Sequence, residues 1–157
     1  FFKMLDNKHL IPCCTGMIQR EVALRMAAAP GSKVYGILSV LIQAWYDVEY
    51  LFTVDEGVFN PPPKVKSAVI RMTRNDVTDP GCDENLLRRV VKTTFNQRRK
   101  MMRGSIKPLL HELDQQCGTT PPDHTEFLAQ PLLTRRPEQL SVQEFINLTN
   151  QVSKHYM

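Results

Sequence analysis

Three consecutive prolines, Pro61 to Pro63, separate two segments in which apolar and polar residues alternate. Alternation with a period of two predicts β-strands, here over 47–54 (DVEYLFTV) and 65–72 (VKSAVIRM). Because proline has a fixed φ and no backbone N–H, the segment between the strands is extended and stiff and cannot pair within a sheet. The sequence therefore predicts two strands joined by a rigid loop, and this loop carries Phe59.

Helical and strand patterns alternate before the first of these strands. Residues 1–10 have the pattern of the last turns of a helix, 11–19 that of a short buried strand, and 20–29 and 36–46 those of helices. An alternation of helices and strands that closes with a strand pair is typical of an α/β fold with an antiparallel edge. We therefore expect an α/β unit over residues 1–75.

The composition changes between residues 75 and 82, where the sequence NDVTDPGC collects turn-forming residues. Beyond this segment the patterns are helical, and the last helix opens with a capping box formed by Ser141 and Glu144. A chain of 157 residues is long enough for two small domains. The sequence thus predicts an α/β domain over 1–75 and a small all-α domain over 76–157.

Positive charge is concentrated in residues 83–107, which hold eight basic and two acidic side chains and carry a net +6, against +4 for the whole chain. Asp83 and Glu84 are the only acids of this segment, so apart from Arg88, four residues after Glu84, its arginines have no opposite charge one helical turn away. Such a concentration indicates an anionic partner, nucleic acid first, although a solvated surface is the alternative. A single helix over 88–103 would bring four cations to one face: Arg88, Lys92, Arg99 and Arg103.

Several classes of site have no motif in the chain. Because it contains no GxGxxG, GxxxxGK[ST] or GxSxG sequence, the motifs give no dinucleotide, nucleoside triphosphate or acyl-transfer site. The cysteines form no CxxC pair and no histidine stands at ligand spacing, so we expect neither a metal site nor a disulfide framework. No apolar run reaches the roughly 18 residues of a membrane span and no secretory signal opens the sequence, so we expect a cytoplasmic protein with no membrane partner.

Five segments resemble, in this order, the C-terminal part of the bacterial 16S ribosomal RNA adenine N6-dimethyltransferases. They are QREVALRM, PGSKVYGILSV, FNPPPKVKSAVIR, TFNQRRKMMRGS and RPEQLSVQEF, and the resemblance covers essentially the whole chain. It implies the C-terminal part of a Rossmann-like methyltransferase sheet followed by a small all-α, rRNA-binding domain. It also implies a parent enzyme that transfers methyl groups from S-adenosylmethionine to N6 of two adjacent adenosines near the 3′ end of 16S rRNA, in the 30S subunit or its precursor.

Three features of the family are missing from this sequence: the glycine-rich S-adenosylmethionine loop, the acidic residue that binds the ribose, and the Asn-Leu-Pro-Tyr motif that accepts hydrogen bonds from the adenine amino group. In the family all three precede the helix with which this chain starts. We therefore expect a C-terminal fragment with no cofactor-binding residues and no activity of its own, and S-adenosylmethionine as the cofactor of the full-length parent only.

The resemblance also implies roles for individual residues. Phe59 stands at the position of the aromatic side chain that stacks on the target adenine, whereas from the residues alone a core position is the alternative. The rRNA-docking surface would include Arg98, Arg99, Lys100 and Arg103, together with Arg25 and Arg136. For Arg25, four residues after Glu21, a plain intrahelical ion pair is the alternative. A freestanding RNA-binding or ribosome-assembly module without catalysis is the second hypothesis for the chain.

Overall fold

The computed structural model describes residues 2–75 and 82–157, and of Phe2 it describes only the backbone. Short 3-10 turns occupy Glu56–Val58, Pro131–Thr134 and Pro137–Gln139. No helix of the described residues is both long enough and apolar enough to cross a membrane. The helices and strands are α1 (Phe2–Asp6), β1 (Cys13–Gln19), α2 (Arg20–Met26), α3 (Ile37–Gln43), β2 (Tyr46–Val54), β3 (Ser67–Arg74), α4 (Glu84–Phe95), α5 (Met102–Ser105), α6 (Lys107–Gln116), α7 (Thr125–Leu128) and α8 (Val142–His155).

The three strands form an antiparallel sheet in the order β1–β3–β2, so the last strand in sequence lies in the middle. Ala68, Ile70 and Met72 of β3 point to the face that α2 covers, and all three are fully buried. The predicted strands are confirmed to within two residues at each end. Alternating apolar residues form these strands because a pleated strand presents every second side chain to the core.

A bulge in β2 changes which face its side chains occupy. Tyr50 pairs with Ile70, whereas Phe52 pairs with Val69, so Leu51 is the extra residue. A bulge turns the following side chains to the opposite face of the sheet, and Phe52 is accordingly 54% exposed. The end of β2, and the loop after it, therefore leave the sheet from its outer face.

Helices α2 and α3 are shorter than the predicted 20–29 and 36–46. The Gln43 side-chain amide donates hydrogen bonds to the carbonyls of Met26, the last residue of α2, and of Ala28, both at 2.8 Å. β2 starts at Tyr46, inside the predicted second helix, because that residue pairs with Arg74 of β3. Tertiary contacts thus decide both helix ends.

Helices α4 and α8 pack against each other, and each starts with a side-chain cap. The Asp83 carboxylate accepts hydrogen bonds from the N–H groups of Asn85 (2.9 Å) and Leu86 (3.3 Å). At the start of α8 the Ser141 hydroxyl accepts from the N–H of Glu144 at 3.1 Å, and the Glu144 carboxylate accepts from the N–H of Ser141 at 3.0 Å. The predicted capping box is confirmed.

Residues 88–103 do not form the single helix that would bring four cations to one face. Helix α4 ends at Phe95, residues 96–100 form a turn, and the chain becomes helical again only at Met102. The N–H of Met102 donates to the carbonyl of Arg135 at 2.8 Å, a contact that a continuous helix could not make. The cations expected on one helix face are therefore divided among α4, the turn and α5.

One group of buried side chains extends from the sheet into the helical part. The Tyr35 hydroxyl donates to the Leu140 carbonyl at 2.7 Å, and its ring meets that of Phe95 edge-on with the centroids 6.1 Å apart. Burial raises the pKa of Tyr35, so this donor stays protonated. The domain boundary predicted at 75/76 adjoins residues 76–81, which lie outside the described residues, and the division into two domains stays a prediction.

A polar cluster holds the end of α8 against α6. His124 lies between the two, with Nδ1 2.8 Å from His155 Nε2 and Nε2 2.9 Å from the Asp114 carboxylate. The Tyr156 hydroxyl donates to Asp114 at 2.6 Å. Hydrogen bonds from Tyr156 and His124 lower the pKa of Asp114, and burial together with His124 lowers the pKa of His155.

Candidate nucleic-acid interface

The loop before the three prolines fixes the backbone at Phe59. Asp55 caps the 3-10 turn Glu56–Val58, since its carboxylate accepts from the N–H of Gly57 at 3.0 Å. The N–H of Phe59 donates to the carbonyl of Glu56 at 3.3 Å, and the peptide bond between Asn60 and Pro61 is cis. Phe59 therefore leaves a hydrogen-bonded turn on one side and enters the proline segment on the other.

The Phe59 side chain is half-buried, but within residues 2–75 and 82–157 it is not one of the apolar side chains that pack against the core. Its neighbour Val58 is 68% exposed, and all three prolines are exposed. This arrangement gives no support to the core-packing alternative. The stacking role stays a prediction.

Three basic residues lie on the segments that flank this loop: Arg20, Lys64 and Lys66. The N–H of Arg20 donates to the carbonyl of Lys66 at 2.9 Å, which fixes the start of α2 beside the residue that precedes β3. All three side chains are exposed, and none takes part in an ion pair within the described chain. Lys64 and Lys66 were not among the predicted site residues, although both belong to the PPPKVK sequence.

Four of the predicted site residues line one cavity of about 490 Å³, which we call the basic cavity. The turn after α4 contributes Arg99 and Lys100, and Arg103 comes from α5. The full lining is Arg99, Lys100, Met101, Arg103, Gly104, Lys107, Leu128 and Arg136. Lys107, the first residue of α6, is a fifth cation that the sequence analysis did not select, and its only signal was membership of the basic segment.

No cation of the basic cavity makes an ion pair with any described residue. The lining contains no acidic side chain, while Met101, 44% exposed, and Leu128 give it an apolar part. Like charges gathered near a surface repel one another, by about 1 kcal/mol for a pair 4 Å apart in water and more near protein. A polyanion bound here would remove that repulsion, and five cations at one cavity match the phosphates of a nucleic acid.

Three arginines of the basic segment have acidic partners, and these come from distant parts of the chain rather than from the next helical turn. Arg88 pairs with Asp6 at 3.2 Å, and Arg89 with Glu112 at 3.0 Å. The third is Arg98, which pairs with Glu138 at 3.3 Å. Spacing along the sequence could not show these acids. Of the arginines of this segment, only Arg99 and Arg103, which both line the basic cavity, make no ion pair in the described chain.

Arg25 and Arg98 do not line the basic cavity. They line a second cavity of about 440 Å³, together with Lys33, Gly36 and Phe95 among others. The Arg25 guanidinium donates to Glu21 at 2.8 Å, so the intrahelical ion pair named as the alternative is present. The structure therefore brings together four of the six cations predicted for RNA binding and places the other two at a separate cavity.

The described residues do not form a site that fits S-adenosylmethionine. None of the six described glycines belongs to a GxGxxG or GxxxxGK[ST] sequence, so the described residues contain no glycine-rich nucleotide-binding loop. The sheet is wholly antiparallel and has no crevice at the carboxyl ends of parallel strands. No group of three His, Cys, Asp or Glu side chains in the described chain is placed to hold a metal ion.

Comparison with known proteins finds relatives that carry the same name. A ribosomal RNA small subunit methyltransferase A from Bacteroides thetaiotaomicron is 68% identical over 154 residues, which are 98% of this chain and 54% of that protein. The protein of the same name from Parabacteroides distasonis is 62% identical over 155 residues, 99% of this chain and 54% of its own length. The chain thus spans about half the length of these curated relatives, which are named as methyltransferases.

The fold is also that of a known structure. A dimethyladenosine transferase from Plasmodium falciparum superposes with a TM-score of 0.83 at 22% identity, over 98% of this chain and 62% of that one. The predicted fold class is confirmed, and the model of the family described as Ribosomal RNA adenine dimethylase matches residues 1–149. The chain therefore belongs to the ribosomal RNA adenine dimethylase family.

Proposed function

We propose that this chain is the rRNA-docking part of an S-adenosylmethionine-dependent enzyme that dimethylates N6 of two adjacent adenosines near the 3′ end of 16S rRNA. Its partner would be that RNA in the 30S subunit or its precursor. The observation that carries the proposal is the group of five unpaired cations at the basic cavity. The names of the relatives, of which this chain matches about half the length, support the reaction assigned to the parent.

In this proposal the basic cavity binds phosphates of a folded rRNA region. Arginine suits this task because its planar guanidinium donates two parallel hydrogen bonds to a phosphate. Contacts to phosphate and ribose respond to the shape of RNA more than to its sequence, so the cavity orients the subunit and leaves selection of the target nucleotide to another region. Its binding should weaken steeply as salt concentration rises.

We assign selection of the nucleotide to the proline loop, residues 55–66 between β2 and β3. The lone pair of the adenine amino group is delocalised into the ring, so the base has to leave its stack and be held while the nitrogen attacks. Stacking on an aromatic side chain contributes about 1–3 kcal/mol, which offsets part of the cost of extrusion. Phe59 is half-buried and follows a hydrogen-bonded turn. In this proposal the exposed Arg20, Lys64 and Lys66 contact phosphates beside the extruded nucleotide.

The chain alone is proposed to transfer no methyl group, because its described residues contain no glycine-rich loop for S-adenosylmethionine. Incubation with 30S subunits that lack the dimethyladenosines and with methyl-labelled S-adenosylmethionine should leave the RNA unlabelled. Labelled adenosine in a nuclease digest would contradict this expectation. When S-adenosylmethionine is bound in the parent, it supplies the methyl group, and the residues of this chain orient the RNA.

The test of docking is binding of the chain to 30S subunits that lack the dimethyladenosines. The double change Arg99→Glu and Arg103→Glu should raise Kd by about 100-fold at moderate salt, since two attractive phosphate contacts become repulsive. Lys154→Glu is the control, because it reverses an exposed charge of α8 that does not line the basic cavity. Equal losses of affinity from both changes would show that the cavity contributes only non-specific positive charge.

A non-catalytic RNA-binding module is the second candidate, and one observation favours it. The basic cavity is complete within this chain, whereas a glycine-rich loop for the cofactor is missing from its described residues. The two candidates differ in the activity of the natural gene product that contains this sequence. Methylation of unmethylated 30S subunits by that product would decide for the enzyme, and binding without methylation would decide for the module.

A further inference from the structure

Arg98 has contacts unlike those of its neighbours Arg99 and Lys100. Its Nε donates to the Glu138 carboxylate at 3.3 Å, and its Nη2 donates to the carbonyls of Ser32 (3.3 Å) and Lys33 (2.8 Å). The Arg98 and Glu138 side chains are only 35% and 28% exposed. Three of the five N–H donors of this guanidinium are thus occupied by protein acceptors before any RNA binds.

The remaining nitrogen of Arg98 does not face the basic cavity. Its Nη1 lies 3.7 Å from the position a Cβ would take on Gly36, at the second cavity. The guanidinium carbon also lies 5.8 Å from the centroid of the Phe95 ring. Arg98 therefore belongs to the packing between the turn after α4 and the loop before α3, on the other side of the turn from Arg99 and Lys100.

The partners of Arg98 show what this packing holds in place. Glu138 lies two residues after Arg136, in the 3-10 turn that Arg136 precedes, and the N–H of Arg136 donates to Gln139 in the same turn at 2.8 Å. The carbonyl of Glu138 accepts from the N–H of Gly31 at 2.7 Å, which fixes that turn to the loop before α3. The ion pair between Arg98 and Glu138 thus connects the two segments that supply Arg99, Lys100 and Arg136 to the basic cavity.

We infer that Arg98 is a positioning residue, whose bonds to Glu138, Ser32 and Lys33 set the spacing of the cations at the basic cavity while its own charge contacts no phosphate. The inference rests on the proposed function, because it assumes that the cavity binds RNA. It replaces the direct phosphate contact that the sequence resemblance implies for Arg98. It also gives Glu138, an acid beside a cationic site, a favourable part in RNA binding.

Removal of the Glu138 charge distinguishes a positioning role of Arg98 from a purely electrostatic one, because the two roles predict opposite changes in RNA affinity. If only charge mattered, Glu138→Gln would make the surface more positive and tighten RNA binding by up to about threefold. If Arg98 positions the cavity, the same change loosens the two segments and weakens binding by about three- to tenfold, as expected for loss of a partly buried ion pair. Glu112→Gln is the matched control, since Glu112 pairs with Arg89 of α4 and does not line the cavity.

Arg98→Lys provides a second test that does not depend on the acid. Lysine keeps the charge but cannot make the three bonds in the observed directions. The inference predicts that Arg98→Lys binds as weakly as Arg98→Gln, and that Arg98→Gln adds little to Glu138→Gln in the double variant. A direct phosphate contact predicts instead that lysine retains most of the affinity and that the two losses add.

The experiment measures Kd of the full chain for 30S subunits that lack the dimethyladenosines, over a series of salt concentrations, with circular dichroism and urea unfolding of each variant. Weaker binding by folded Glu138→Gln, with unchanged or tighter binding by Glu112→Gln, supports the inference. Equal or tighter binding by Glu138→Gln overturns it, and if that variant does not fold, near-native affinity of Arg98→Lys overturns it. Failure of the unaltered chain to bind 30S subunits would instead refute the proposed function.

Discussion

The arginines of α4 and the cations of the basic cavity come from one basic segment of the sequence but have opposite surroundings. Arg88 and Arg89 are each neutralised by a carboxylate brought from another part of the chain. Arg99 and Arg103, a few residues further on, have no such partner in the described structure and share a cavity with three more cations. The fold thus leaves a cluster of unpaired cations only in the part of this run where it supplies no acidic partner and several cations meet, and we propose that this part is the binding surface.

The largest expected effect comes from an uncharged side chain, Phe59 in the loop before the three prolines, and it sharpens the comparison. In the natural gene product that contains this sequence, Phe59→Ala should lower turnover by about 10- to 100-fold, because stacking contributes about 1–3 kcal/mol when the base is extruded. Affinity for 30S subunits should change by less than about twofold, since the cavity cations are intact. Phe59→Tyr is the control that retains an aromatic ring, and equal loss of turnover and affinity would remove the distinction between loop and cavity.

The next effect concerns salt. Each of Arg99→Gln and Arg103→Gln should reduce the slope of log K against log salt by about 0.7–0.9, the amount expected for one phosphate contact. Arg89→Gln should leave the slope unchanged, because its charge is already paired with Glu112. The slopes are obtained from titrations of the chain into 30S subunits at several salt concentrations. A common slope for all three variants would end the distinction between paired and unpaired arginines.

The effects on stability should have the opposite order: a change at the paired Arg88 should destabilise the fold more than a change at the unpaired Arg99. Arg88→Glu places a carboxylate beside Asp6 and should lower the free energy of unfolding by about 1 kcal/mol. Arg99→Glu breaks no ion pair of the described structure and relieves repulsion in the cavity, so its unfolding free energy should stay within about 0.5 kcal/mol of the unaltered value. Urea unfolding at pH 7.5 measures both. A larger loss for Arg99→Glu than for Arg88→Glu would show that the cavity cations also hold the fold.

The smallest expected effect is a pH dependence of stability. It arises from the polar cluster at the end of α8 and not from the basic cavity. Because the pKa of His155 is lowered in the folded chain, its protonation favours unfolding, and stability should fall as pH drops below 6.5. The lowered pKa of Asp114 adds a second decrease below pH 3.8. The urea midpoint at pH 7.5 and pH 5.5 measures the first step, and His155→Gln should diminish it. Arginine and lysine do not titrate in this range, so RNA binding by the folded chain should not be lost.

Sequence patterns predicted those parts of the fold that depend on neighbouring residues. The period of two in 65–72 predicted β3, and the spacing of Ser141 and Glu144 predicted the start of α8. The end of α4 at Phe95 was not predictable in this way, because it depends on the bond between Met102 and Arg135. Local propensity is a weak guide wherever such a contact between distant segments competes with it.

The same limit applied to the candidate site. The run of cations between Arg98 and Arg103 indicated an anionic partner, and four of the predicted residues do line one cavity. The separation of Arg98 from Arg99 required knowledge of Glu138, which is 40 residues away. The grouping of Arg136 with Arg99 by family resemblance matches the cavity, but neither spacing nor composition could have brought these residues together.

The central position of β3 has a consequence for synthesis of the protein on the ribosome. Cys13 pairs with Thr73, and Tyr46 pairs with Arg74, so both outer strands must await the arrival of the same late segment. Among the described residues, β1 and β2 pair with β3 and not with each other, so these ladders form only after β3 leaves the exit tunnel, and pairing over such a distance closes slowly. During this interval β1 and β2 are available to other nascent chains or chaperones, and translation pauses after Arg74 would favour correct assembly.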